Sequence, residues 1–495
     1  MTAEDVANSA APDDEGTNSG SEPELKRTLG GFQIFAVSFA FISVAVGIFA
    51  TYDDVLRNSG PVGIWLWIFA AVGQALVALV VAQFAARIAL SGSSYQWASR
   101  LANPKIGWLF GWLTFWYLAI AVVALDNALA SQAFMPLVGM AENEDTARIL
   151  TVVILIVQSI LVIASTKLLG MITSSAVGIE LAIIVVLVLG LAVVMAFTGS
   201  GDLSNLTSRG VTADSPNYFA IGGGLMAGMI IGLTTLVGFD SAANLAEEAK
   251  DPFKSVPRAI VASVVAAGAL GFLFLIVLTI AIKDIPGVTS SGSPVAEIIR
   301  SQFGVVAERF LLAALAFAMF GAGMVIIAAC ARQVFAMARD KRFPAHELMK
   351  KVNPKTRTPV PATLLILAVG VVLMVGLPGE ALIPLIVGST ILPALIYTGI
   401  VILYLAVRKR LEHKEGGFSL GRFEMPVAVA ALIWEALVLF VLVTPGGNTI
   451  PVLIVVALIL AGGVYFGYMY FFHRETLDTE PAMDDAVVPA PKATS

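Results

Sequence analysis

The chain carries a single cysteine, Cys330, so no disulfide can close within it and cysteine usage reports no redox compartment. Its three histidines, His346, His413 and His473, fall in loops or at a span end. No His/Cys/Asp cluster therefore sits at membrane depth to bind metal or pair a nucleophile with a base, and neither an enzyme nor a cofactor or metal is expected. Charge is scarce: 13% of the 495 residues are Asp, Glu, Lys or Arg, against about 25% in a soluble protein. With 58% hydrophobic residues and a mean hydropathy of +0.88, the polar surface is too small to cover a water-facing globule, and the chain reads as an integral membrane protein. The N-terminus lacks the basic stretch, short apolar core and cleavage site of a removable signal peptide, so the first span is expected to act as the targeting signal.

What charge there is divides unevenly. The net charge is −5, yet residues 1–24 hold seven acids and no Lys or Arg, and residues 475–495 hold five acids and Lys492. Without these stretches the body has 23 acids and 29 bases. The tails, 1–27 and 475–495, are rich in Ala, Pro, Ser, Asp and Glu and are expected to be disordered and solvated. Nothing indicates a nucleic-acid surface.

A helix crossing about 30 Å of hydrocarbon needs about 20 apolar residues. Twelve such stretches are expected, at 31–57, 62–88, 107–137, 149–165, 169–197, 219–247, 257–283, 305–337, 360–377, 380–407, 425–444 and 449–472. Twelve spans put both termini on one side. That side collects 24 Lys and Arg and the other 6, so the positive-inside rule makes the termini cytoplasmic, in the cell (plasma or inner) membrane.

The first span contains "FISVAVGIFATYDD" at 41–54 and the sixth "GLTTLVGFDSAANL" at 232–245. In each, Val-Gly is followed by an apolar residue and a switch to polar sequence. Val46-Gly47 and Val237-Gly238 lie 191 residues apart, each opening a block of five spans. This predicts two inverted repeats, residues 28–206 and 207–411, with 412–474 adding two helices. Glycine weakens a helix by about 1 kcal/mol relative to alanine. Where a helix unwinds, one half exposes carbonyls suited to an ammonium and the other N–H groups suited to a carboxylate. Close helix packing is the other use of glycine at such positions.

Several stretches carry a family resemblance. "GFDSAANLAEEAKDPFKSVPRAI" (238–260), "SGSSYQWASRLANPKIGWLFGW" (91–112), "ARQVFAMARDKRFP" (331–344) and "NPKTRTPVPAT" (353–363) resemble motifs of the amino acid–polyamine–organocation (APC) superfamily. "FSLGRFEMPVAVAALIW" (418–434) is similar to the amino acid/choline transporter branch, which includes permeases for GABA, choline and related amines. The chain departs from the family at Ala45-Val46-Gly47, where Gly-x-Gly is common, at Ala89–Ser93, and at Asn244, where branch members often have His.

The resemblance implies an all-α membrane fold of 12 helices, a 5+5 inverted repeat with broken helices 1 and 6 plus two more. It implies a secondary permease for amino acids or related amines, working by alternating access and coupled to protons. Exchange without protons, or a sensor without transport, are the alternatives. Half of the site is expected at Ser43, Val46, Gly47 and Ile48, with N–H groups of the last three toward a carboxylate and carbonyls near Ile42 and Ser43 toward an amine. Thr234, Thr235, Val237, Gly238, Phe239 and Asp240 form the other half, with Phe239 as a possible gate and Asp240 lining a polar cavity. Thr234 and Thr235 have the alternative of bonding their own helix. The resemblance places Asp126 at the far end of the substrate, able to accept a second ammonium or a quaternary amine; the alternative is a local bond near Asn127. It places Glu180 where some proton-coupled relatives have lysine, able to carry a proton or to bond the broken backbone. Sodium is not expected, because 305–331 contains no Ser or Thr to supply the hydroxyl oxygens a hard cation wants. Arg332, Arg339 and Arg342 are expected to snorkel at the cytoplasmic face, and Glu247 and Glu248 to meet nearby cations. Glu435 has no evident role.

Overall fold

In a computed structural model, residues 30–88, 93–141, 143–356, 358–379, 381–411, 417–444 and 449–479 are described. Most of the described residues are helical. In order run α1 (Gly31–Ile42), α2 (Val44–Asn58), α3 (Leu66–Ala85), α4 (Ser93–Leu101), α5 (Pro104–Ala128), α6 (Met135–Val138), α7 (Glu144–Ala164) and α8 (Thr166–Thr198). Then come α9 (Gly224–Ala227), α10 (Ile230–Thr235), α11 (Pro252–Ile280), α12 (Ile285–Ser290), α13 (Pro294–Phe303) and α14 (Val305–Arg339). The last are α15 (His346–Met349), α16 (Val360–Gly376), α17 (Leu382–Val407), α18 (Glu424–Val443), α19 (Thr449–Phe472) and α20 (Arg474–Asp478).

Among the described residues, eleven helical stretches are long and apolar enough to cross a membrane, and the 17-residue α16 is a shorter apolar twelfth. Each expected span finds its helix. Two of the starts that move have local reasons: α7 begins at Glu144 because the Asn143 side chain accepts the Thr146 N–H at 2.9 Å, and α11 begins with Pro252 in its first turn. The sixth span is less helical than its hydropathy suggests. Gly222, Gly223, Gly224 and Gly228 crowd its start, where turns replace helix. After α10 the chain continues as a tighter helical run, Phe239–Glu248. The side chains of Asn244, Glu247 and Glu248 lie outside the described residues.

α5 is central, packed on α17, α14 and α4, while α11 packs on α3 and α1, and α14 on α8. Large apolar side chains also face outward, Phe197, Val375 and Val464 among them, as a surface solvated by lipid requires.

The face that carries both described ends differs from expectation in one detail. Arg332 and Arg339 are exposed, but Arg342 is buried. Its guanidinium donates to the Tyr95 hydroxyl (3.2 Å) and to the carbonyls of Thr476 (3.2 Å) and Thr479, and Lys105 pairs with Asp478 at 2.7 Å. Residues 475–479, expected within a solvated tail, thus fold as α20 and its cap and dock beside the start of α5, with Leu477 fully buried. Residues 1–29 and 480–495, the rest of the acidic tails, lie outside the described residues.

Candidate functional site

The first span breaks at Ser43, where φ is 48° and ψ 68°. A non-glycine residue in this left-handed region persists only when its surroundings hold it. Here the Ser43 N–H closes the end of α1 on Phe39 O (3.1 Å), and Ser43 O opens α2 by accepting the Gly47 N–H (2.9 Å). The Ala45 N–H donates to Glu180 Oε1 at 3.1 Å across from α8. Glu180 is 4% exposed. The break therefore lies one turn before the expected Val46-Gly47. Of the three amides expected to face a carboxylate, that of Gly47 is taken and Ile48 lies further inside α2; the Val46 N–H takes no backbone partner among the described residues. On the other side, Phe41 O and Ile42 O accept no described backbone N–H.

Gly47 serves close approach. A Cβ there would overlap the methyl and hydroxyl of Thr235, so α2 and α10 cross in contact at this point. The second break does fall at its expected glycine. Gly238 has φ +81°, a conformation that favours glycine, and a Cβ there would strike the Phe41 ring. Its N–H donates to the Tyr397 hydroxyl (3.0 Å) instead of to Thr234 O, and that hydroxyl donates to Asp240 Oδ1 (2.8 Å). Asp240 is thus held behind the break by Tyr397 and does not line the cavity. Phe239 is fully buried, stacks on Tyr397 with ring centroids 4.8 Å apart and does not line the cavity.

Between the breaks lies a cavity of about 130 Å³. Ser43, Val46, Gly47, Thr234, Thr235 and Val237 line it, as do Phe41, Tyr117 and, from α17, Ser389 and Thr390. Ile48, Gly238, Phe239, Asp240, Asp126 and Glu180 do not. The Thr234 hydroxyl donates to Ile230 O (2.8 Å) in its own helix, and Thr51, Ser389 and Thr390 do likewise, which leaves their oxygen lone pairs as acceptors. Thr235 Oγ1 is buried with no partner among the described residues.

Asp126 lies behind the wall. It is fully buried, and its Oδ1 accepts the Gln158 amide at 2.9 Å, while Gln158 also donates to Phe320 O (3.1 Å). A Cβ on Gly323 of α14 would run into both side chains. The partner is thus Gln158 on α7, whereas neighbouring Asn127 bonds Thr151 (3.1 Å). Among the described residues, no three His, Cys, Asp or Glu side chains converge as a metal site.

Sequence reasoning missed Phe41, Tyr117, Tyr397, Ser389 and Thr390. The last two had a readable signal, a hydroxyl pair after Gly388 inside an otherwise apolar span. Tyr117 had none, since it sits in an aromatic-rich run whose other members face the core.

Two interrupted helices meeting at an internal cavity in a membrane-spanning bundle define a solute permease. The chain belongs to the amino acid permease family, whose model matches residues 29–466. It is 27% identical over 448 residues to amino-acid permease BAT1 of Arabidopsis thaliana, covering 84% of this chain and 85% of that protein. It is 28% identical over 361 residues to the GABA-specific permease of Saccharomyces cerevisiae, covering 70% and 62%. To the BAT1 homolog of Oryza sativa it is 24% identical over 440 residues, 84% of each. The protein is a multi-pass membrane transporter and not an enzyme.

Proposed function

We propose that this permease is a secondary transporter of amino acids or related amines that works by alternating access and is driven by protons through Glu180. The observation that carries the reading is the 3.1 Å bond from Ala45 N–H to the Glu180 carboxyl, made in the first turn of α2, two residues after the break at Ser43. An ionised carboxylate accepts from two or more donors strongly; a protonated one gives up part of that capacity and gains a donor. Proton binding at Glu180 thereby alters the hold on α2 relative to α1, which borders the cavity. The α14 wall contributes Ala322 and Ile326, which supports coupling to protons over sodium, since neither offers an oxygen side chain. In the proposed membrane setting both termini face the cytoplasm, and the two five-span blocks rock against one another.

The test is uptake into proteoliposomes under an imposed pH gradient. Glu180→Gln keeps solute counterflow and loses accumulation driven by the gradient. Undiminished accumulation by that variant removes Glu180 from the coupling. A native protein that counterflows yet never accumulates is an exchanger, and one that does neither is a sensor.

A further inference from the structure

Resting on the transport reading above, we infer that the cavity selects small α-amino acids of zero net charge with short aliphatic side chains. Cationic amines, polyamines and acidic amino acids are poor substrates. None of the residues that line the cavity is Asp, Glu, Lys, Arg or His. A solute with net charge would enter a space whose lining offers no counter-ion, and burial of an unpaired charge is strongly unfavourable.

The charges that can be met are those of a compact zwitterion. The end of α1 and the start of α2 meet at Ser43, so unpaired carbonyls and an unpaired amide lie within a few residues of each other. The two partial charges of helix ends are opposite and adjacent. An ammonium and a carboxylate borne on the same carbon match that spacing. Three methylenes between them, as in GABA, drive the groups apart and push one toward the apolar wall.

That wall is made by Ala121, Ala124 and Ala128 of α5, Ala322 and Ile326 of α14, and Ile386 of α17. The Asp126 carboxylate lies outside this wall and accepts from Gln158. The wall's four alanines and two isoleucines offer an apolar surface for an aliphatic side chain and no partner for a charged one. Discrimination here comes as much from what a charged competitor fails to find as from what an aliphatic side chain gains.

The experiment is counterflow in proteoliposomes preloaded with unlabelled solute, using alanine, valine, GABA, choline, putrescine, lysine and glutamate. Alanine and valine are expected to exchange at least tenfold better than the others. Two variants sharpen it. Asp126→Asn retains the oxygen that accepts from Gln158 and leaves the order of preference unchanged. Ala322→Asp places a carboxylate in the wall and moves preference toward lysine and putrescine. Choline, putrescine, lysine or GABA exchanging as well as alanine in the native protein overturns the inference while the transport reading stands. A reordered preference in Asp126→Asn overturns it also. Failure of every solute to exchange overturns the transport reading and the inference with it.

Discussion

Gly47 and Thr235 touch across the two interrupted spans, and the space for a side chain on Gly47 is already filled by the Thr235 methyl and hydroxyl. Both residues line the cavity. Gly47→Ala forces the helices apart, an overpacking that costs about 1–3 kcal/mol, and Gly47→Leu abolishes solute binding without preventing membrane insertion. Thr235→Ala combined with Gly47→Ala restores part of the loss. Binding measured by thermal shift in the single and double variants checks this. Additive losses would show that the two side chains do not compete for the same space.

The Tyr397 hydroxyl joins the Gly238 amide to the Asp240 carboxylate. Tyr397→Phe keeps the ring stacked on Phe239 and deletes only this bridge, leaving a buried donor and a carboxylate acceptor short of one bond each. The expected loss of stability is about 1–3 kcal/mol, with slowed transport. Denaturation in detergent and initial uptake rates measure the two effects. An unchanged protein would mean that water replaces the hydroxyl.

Arg87 and Glu424 tie the end of α3 to the start of α18 with a 2.9 Å ion pair whose side chains are 4% and 14% exposed. Removing one partner of so enclosed a pair costs about 3–5 kcal/mol. Glu424→Gln is therefore expected to lower the melting temperature clearly more than a change at the exposed Arg57–Asp53 pair, for which about 0–1 kcal/mol is usual.

Glu435 is fully buried in α18, and neither of its carboxyl oxygens has a partner among the described residues. Replacing an unsatisfied polar group by an apolar one of similar size is neutral or stabilising. Glu435→Leu is expected to raise thermal stability and leave uptake intact. Uptake lost with a folded protein would assign Glu435 a role in transport.

Long-range patterning made the fold legible. Twelve apolar stretches, their charged flanks and a Val-Gly pair repeated 191 residues apart report directly on the bilayer and on where helices weaken. The site was legible only in part. Glycine marks a weak point in a helix, but the actual bend at Ser43 depends on Glu180, 135 positions away, which accepts the Ala45 N–H. The resemblance placed Asp126 at the far end of the substrate, and Asp240 was read as lining a polar cavity because charge at membrane depth demands a polar setting. Gln158 and Tyr397 supply that setting, and no local pattern announces such distant partners. Arg342 was misjudged likewise, since its acceptors are main-chain oxygens beyond the last span.

Those acceptors have a consequence for biogenesis. Synthesis proceeds from the N-terminus, and earlier segments begin to fold first. Lys105 and Arg342 emerge long before Thr476, Asp478 and Thr479, their partners around α20. Until residues 476–479 are made, Lys105 and Arg342 lack these partners, so among the described residues this corner of the fold is completed last.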